Sequence, residues 1–218
     1  MNRRDALKGA GTILMAGAIG RQTATAATSL ELAAPESMGF APDLPARFAA
    51  LEAAGRLLNV HGVVALRKGR VVFERYMTGT DRTGEGQTGT VEFTADTLHD
   101  MRSVTKSVVG LLYGIALGDH RVPAPDQPLL AQFPEYPDLA KDPDRAGLTI
   151  FHALTMTLAL KWNEDLPWIH SDEVSMDNAP DRYRFVLERP MLGAPGKGYI
   201  YNGGATALLG RLIERGTG

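Results

Sequence analysis

The apolar positions change period several times along the chain, and each change predicts an element. The strongest pattern is Val104, Val108, Leu111, Leu112 and Ile115, which recur at helical spacing and predict a helix over 104–117 with that face turned into a core. Upstream, His61 to Leu66 and Val71 to Tyr76 read as two strands around Arg67-Lys68-Gly69-Arg70, a hairpin with glycine at its turn. Before them lies a lead-in from residue 29 and an alanine-rich helix at about 43–57; residues 78–90, rich in Gly, Thr and charge, read as an exposed loop. After the central helix, six prolines between 123 and 143 keep the backbone irregular. Thr149 caps a short helix, Ile150 to Met156; the polar, aromatic-bearing stretch 162–178 reads as a loop; Pro180 to Arg189 is a helix stopped by Pro190. A turn at 194–198 leads through Tyr199 to Gly204 into a last apolar helix at about 205–215.

This inventory holds only two strands. A lone hairpin is marginal in water and leaves both edges open to pairing, so the pattern predicts a sheet short of the strands that would complete it.

Composition narrows the class. The 218 residues are 44% hydrophobic and 22% charged, enough for one sizeable core, in one or two lobes. A formal net charge of −2 offers no basic field for nucleic acid, and the absence of cysteine excludes disulfides and thiolate metal sites. The amino terminus points to export. Arg3 and Arg4 lie in a basic start, Gly9 to Gly20 is a weakly apolar run too short to span a bilayer, and Ala24-Thr25-Ala26 offers small residues for cleavage. These features predict a twin-arginine-type signal over 1–26, a receptor-read address and not a stable membrane anchor, with the mature chain at 27–218 periplasmic or secreted. Asp5 and Ala6 depart from the usual signal, where a bulkier apolar residue follows the arginines. The other reading is an uncleaved tail. Cleavage after Ala26 would lower the net charge to −5.

The candidate chemistry opens the central helix. Ser103 stands at its start and Lys106 one turn later on the same side. A serine hydroxyl needs a base to become a nucleophile, and a lysine amine serves if burial or a neighbouring cation depresses its pKa. A helix amino terminus adds a positive dipole and free N–H groups suited to an oxyanion. The plain alternative is a serine N-cap with a solvated lysine behind it. The five histidines, His61, His99, His120, His152 and His170, show no metal-type spacing, so neither a metal nor a cofactor is expected.

The run Met101-Arg102-Ser103-Val104-Thr105-Lys106-Ser107, then Phe133-Pro134-Glu135-Tyr136, then Leu148 to Thr157, then Pro195-Gly196 before Tyr201-Asn202-Gly203-Gly204-Ala205, resembles the serine β-lactamase-related hydrolases. Within that group it looks most like the 6-aminohexanoate-dimer hydrolase branch of amidases and esterases. The resemblance covers roughly 35–218 and implies an α/β (α+β) fold of the β-lactamase/transpeptidase type, in which a helical lobe packs on a mainly antiparallel sheet. It also implies that Ser103 is acylated by a small amide or ester, that Lys106 accepts its proton, and that Tyr201 passes the proton to the leaving group. Asn202 is implied as a substrate contact. Trp162 and His170, with Trp168, either line the acyl pocket or belong to a packed loop; Asp177 and Asn178 either meet a substrate amine or cap a helix. Of the two tyrosines, Tyr199 is the expected core residue.

Three departures weigh against a simple transfer. The relatives' second motif is usually Tyr-x-Asn, whereas Gly203 stands where that amide belongs. Leu158-Ala159 stands where Ser-Gly often precedes the leucine. A third motif, Lys-Thr-Gly or His-x-Gly on a later strand, does not follow Tyr201, so the chain is expected to stop in mid-domain. The competing reading is therefore an inactive, penicillin-binding-like domain that holds a ligand without turnover.

Overall fold

A computed structural model describes residues 30–82, 88–165 and 167–218. The export signal expected over 1–26 lies outside the described residues. The chain divides after Leu98 into two compact units.

The first unit carries the strands. A 3-10 turn at Pro35–Met38 precedes helix α1, Leu44–Ala53, close to its expected span. Strands β1 (Gly62–Arg67) and β2 (Arg70–Tyr76) pair antiparallel, with Val63 opposite Arg75 and a register shift between Ala65 and Leu66. Their two-residue turn places both Lys68 (φ 49°) and Gly69 (φ 75°) in the left-handed region, the geometry that matches strand twist. Val71 and Val72 are buried, and the Phe48 ring meets Phe73 at 5.0 Å between centroids. The stretch read as a loop instead begins and ends in strands. β3 (Thr78–Arg82) and β4 (Thr88–Glu92) form a second antiparallel pair. Their threonines supply β-branched side chains at alternate positions, but glycine and charge replace the apolar half of the pattern, so no hydrophobic alternation announces them.

The second unit is helical. Its long helices are α2 (Val104–Gly118) and α6 (Gly203–Thr217), which pack on each other. α6 begins two residues before its expected start and buries Ala205, Leu208, Leu209 and Leu212, a stripe at helical spacing. Shorter elements surround this pair. α3 (Ile150–Leu154) follows Thr149 as expected, and α5 (Arg182–Leu187) follows Asp181, whose carboxylate accepts the Tyr183 and Arg184 N–H groups. The stretch read as a loop at 162–178 contains α4, Asp172–Asp177, capped by the Ser171 hydroxyl. The proline-rich segment runs through two 3-10 turns, Leu130–Gln132 and Leu139–Lys141, and sinks Leu129 and Phe133 completely.

The face of α2 is a correction. Val104, Val108, Leu111, Leu112 and Ile115, expected in the core, are 44–65% exposed. The packed face carries Val109, Tyr113, Ala116 and Leu117 instead. Lys106 precedes these by three, seven, ten and eleven residues, so it lies on the face turned toward α6. Among the described residues no helix is long and apolar enough to cross a membrane.

Candidate active site

The backbone ahead of α2 is tightly wound. Arg102 has φ 43°, left-handed for a residue with a side chain. Asp100 holds it there, accepting the Arg102 N–H at 3.0 Å and pairing with its guanidinium at 2.9 Å. Val104 and Thr105 donate back to the carbonyls of Met101 and Arg102. The helix start therefore keeps fewer free N–H groups than expected, because a 3-10-like turn consumes them. Among the amides from Arg102 to Thr105, that of Ser103 alone has no acceptor within the described residues.

Ser103 is the residue before α2, yet its hydroxyl does not cap the helix. It accepts a hydrogen bond of 3.1 Å from Lys106 Nζ instead. The Lys106 ammonium also faces the ring of Tyr201, 4.7 Å from its centroid, a cation–π distance. The structure thus brings Ser103, Lys106 and Tyr201 together. Tyr201 is 39% exposed, and Tyr199, the expected core residue, is 66% exposed, with its hydroxyl toward Met156 Sδ.

The other predicted residues are placed differently. Asn202 is 2% exposed, and its side-chain oxygen accepts the Ala205 N–H, the N-cap of α6. Trp162 belongs to the core, with its ring N–H donating to Glu164. His170 is exposed at the end of a 3-10 turn, Trp168–His170. None of these three lines the open cavity of about 430 Å³ beside the serine, which is bounded by Arg102, Ser103, Lys106, Glu173, Gly203 and Thr206. Asp177 pairs with Arg182, and Asn178 turns its amide back to the Val174 carbonyl.

Two residues that sequence reasoning missed stand beside Lys106. Glu164 Oε2 lies 3.8 Å from Nζ and Glu173 Oε1 lies 4.0 Å from it. Burial or a neighbouring cation was the expected device; the Lys106 side chain is only 12% exposed, and its charged neighbours are two carboxylates, not a cation. Glu164 Oε1 also accepts the Trp162 ring N–H at 2.7 Å and the Gly203 N–H at 2.6 Å, which ties the first residue of α6 to the site. Burial pushes the Glu173 carboxyl above the usual carboxylate range, the charge of Glu164 adds to this, and Lys106 opposes it. The one signal in sequence was the pair Gly203-Gly204 at a helix start, where two poor helix formers imply close approach by something else.

Residues 48–218 match the beta-lactamase family model, and the chain belongs to that family. Its fold is similar to that of a Bacillus anthracis protein described as a 6-aminohexanoate-dimer hydrolase, with a TM-score of 0.53, 16% identity, and coverage of 78% of this chain and 42% of that one. It is likewise similar to a Bacteroides dorei DSM 17855 protein described as a beta-lactamase, with a TM-score of 0.54, 19% identity, and coverage of 79% and 45%. The expected α/β fold of the β-lactamase type is thereby shown, and the chain spans less than half the length of either structure. No curated protein matches the chain.

Proposed function

We propose that this chain carries the acylating site of an exported serine hydrolase that acts on a small amide or ester, of the 6-aminohexanoate-dimer hydrolase kind. The observation that carries the reading is the 3.1 Å contact between Lys106 Nζ and Ser103 Oγ, under the ring of Tyr201. In this scheme Ser103 Oγ bonds to the substrate carbonyl carbon while its proton passes to Lys106. The Ser103 N–H and the amino terminus of α2 face the charge that develops on the carbonyl oxygen. The proton then leaves through Tyr201 to the departing amine or alcohol, the C–N or C–O bond breaks, and water releases the acyl group.

Labelling by a fluorophosphonate, read as an adduct mass on the Ser103 peptide, tests this directly. Ser103→Ala should abolish labelling, and Lys106→Ala should slow it by about 10²-fold or more, the usual worth of a positioned base. Labelling that persists in Ser103→Ala would sink the assignment.

The second reading, ligand binding without turnover, draws support from Asn202. Its side chain is buried, its amide oxygen caps α6, and it does not line the cavity beside Ser103. One equivalent of adduct with no steady release of product from a chromogenic ester supports that reading; continuous turnover excludes it.

A further inference from the structure

Glu164 and Glu173 converge on one point. A Cβ placed on Gly203 would lie 2.8 Å from Glu164 Oε1 and 3.1 Å from Glu173 Oε1. The two carboxylates therefore fill the space that a side chain at 203 would take, on the side facing Lys106. The lysine and Glu164 side chains are only 12% and 11% exposed, and that of Glu173 26%, so the three charges meet with little water to screen them.

The two acids are not equivalent. Glu164 is held by two N–H donors, from Trp162 and Gly203. Glu173 accepts no hydrogen bond from any described residue and borders the cavity beside Ser103. Of the two, Glu173 is the one free to take a proton. One ammonium with two carboxylates has the same net charge as one amine with one carboxylate and one carboxylic acid. Moving a proton from Nζ to Glu173 thus frees the amine without changing the charge of the cluster.

Resting on the acyl-enzyme reading above, we propose that Glu173 is the proton store of this site, taking a proton from Lys106 so that Lys106 can accept the one on Ser103, with Glu164 as the fixed carboxylate that positions Lys106. The 4.0 Å gap between Nζ and Glu173 closes by a side-chain shift of about 1 Å or through one water. The proton leaves nitrogen as oxygen gains it, and the return step follows when Tyr201 carries the serine proton to the leaving group. The other charges acting on Glu173 are Asp177 on its own helix and Arg102 ahead of α2, and the Tyr201 ring lies against Nζ at 4.7 Å from its centroid.

Two measurements on the full chain decide this. The first is the pH profile of fluorophosphonate labelling at Ser103. Glu173→Gln should slow labelling at pH 7 by about tenfold and move its acid limb to higher pH, while Glu173→Asp should recover part of the rate. A carboxylate that merely steadied an ammonium would do the opposite: its removal would ease deprotonation and speed labelling. Unchanged or faster labelling in Glu173→Gln, with Ser103 still labelled in the wild type, overturns the proposal and leaves the acyl-enzyme reading standing. The second needs no reactivity. The infrared carboxylic-acid band of the wild type, lost in Glu173→Gln, should titrate above the ordinary carboxylate range; its absence overturns the proposal even if the chain proves unreactive.

Discussion

Gly204 decides how close the start of α6 comes to the site, and replacing it measures that closeness. A Cβ at 204 would lie 2.6 and 2.9 Å from the two methyl carbons of Val186 and 2.9 Å from the Trp162 ring. Carbon atoms prefer about 3.5–4.0 Å, so three contacts must each open by roughly 1 Å. Neither neighbour yields cheaply. Val186 is fully buried, and Trp162 is 6% exposed with its ring N–H held by Glu164. Overpacking of this kind costs about 1–3 kcal/mol, and the triple contact argues for the upper end. Alanine recovers about 1 kcal/mol as the better helix former. The net expectation for Gly204→Ala is about 2 kcal/mol of lost stability, or a fall in Tm of roughly 6–10 °C for a unit of this size. Calorimetry or urea unfolding followed by circular dichroism reads it. Adding Val186→Ala removes both offending methyls, so the double variant should be more stable than the sum of the singles predicts, by about 1–2 kcal/mol. A Gly204→Ala protein as stable as the wild type, or additive single effects, would refute the packing argument.

Three further outcomes follow from contacts elsewhere in the helical unit. Asp181 caps α5 and accepts the buried Tyr136 hydroxyl on both oxygens at 2.8 Å, so Asp181→Ala should lose about 2–3 kcal/mol in urea unfolding at pH 7. Burial raises the Asp181 pKa, but the Arg184 N–H, the Tyr136 hydroxyl and the Tyr183 N–H together hold it below the usual range, so this advantage exists above the ordinary carboxylate pKa and shrinks as pH falls through the folded value. His152 Nδ1 accepts the Thr149 N–H at 3.1 Å, and burial holds its pKa below the ordinary value; the contribution is present above about pH 6.5 and lost as pH falls through the lowered pKa, a slope that His152→Gln should flatten in paired unfolding curves. Ala159 has φ 58°, where the resemblance expects glycine, so Ala159→Gly should stay within about 0.5 kcal/mol of the wild type while Ala205→Gly, the same deletion in a buried helical turn, costs about 2 kcal/mol.

How much of this was legible depended on range. Signals carried by adjacent residues were readable: Thr149 before a helix, Lys68-Gly69 between strands, and the leucine stripe of α6. Ser103 and Lys106 were readable for the same reason, since one helical turn brings them together whatever surrounds them. Glu164 and Glu173 were not, because their contact with Lys106 spans some sixty residues of chain and depends on where α4 and α6 come to rest. Asn202 had a second role that the motif did not announce. The resemblance implied a substrate contact for it, and the start of α6 also needs an acceptor, which its side-chain oxygen supplies.

The reversed face of α2 has a common cause with the site. The helix is apolar nearly all round, so periodicity alone cannot choose the buried side. What chooses it is the partner. α6 presents Ala205, Leu208, Leu209 and Leu212, and α2 meets it with Val109, Tyr113, Ala116 and Leu117, while Tyr113 satisfies its hydroxyl on the Pro123 carbonyl at 2.6 Å. Lys106 shares that face, one turn ahead of Val109. Had the branched stripe of Val104, Val108, Leu111, Leu112 and Ile115 turned toward α6, Lys106 would point away from Gly203, Glu164 and Tyr201. The packing choice that contradicts the hydrophobic pattern is the same choice that assembles the Ser103–Lys106–Tyr201 constellation.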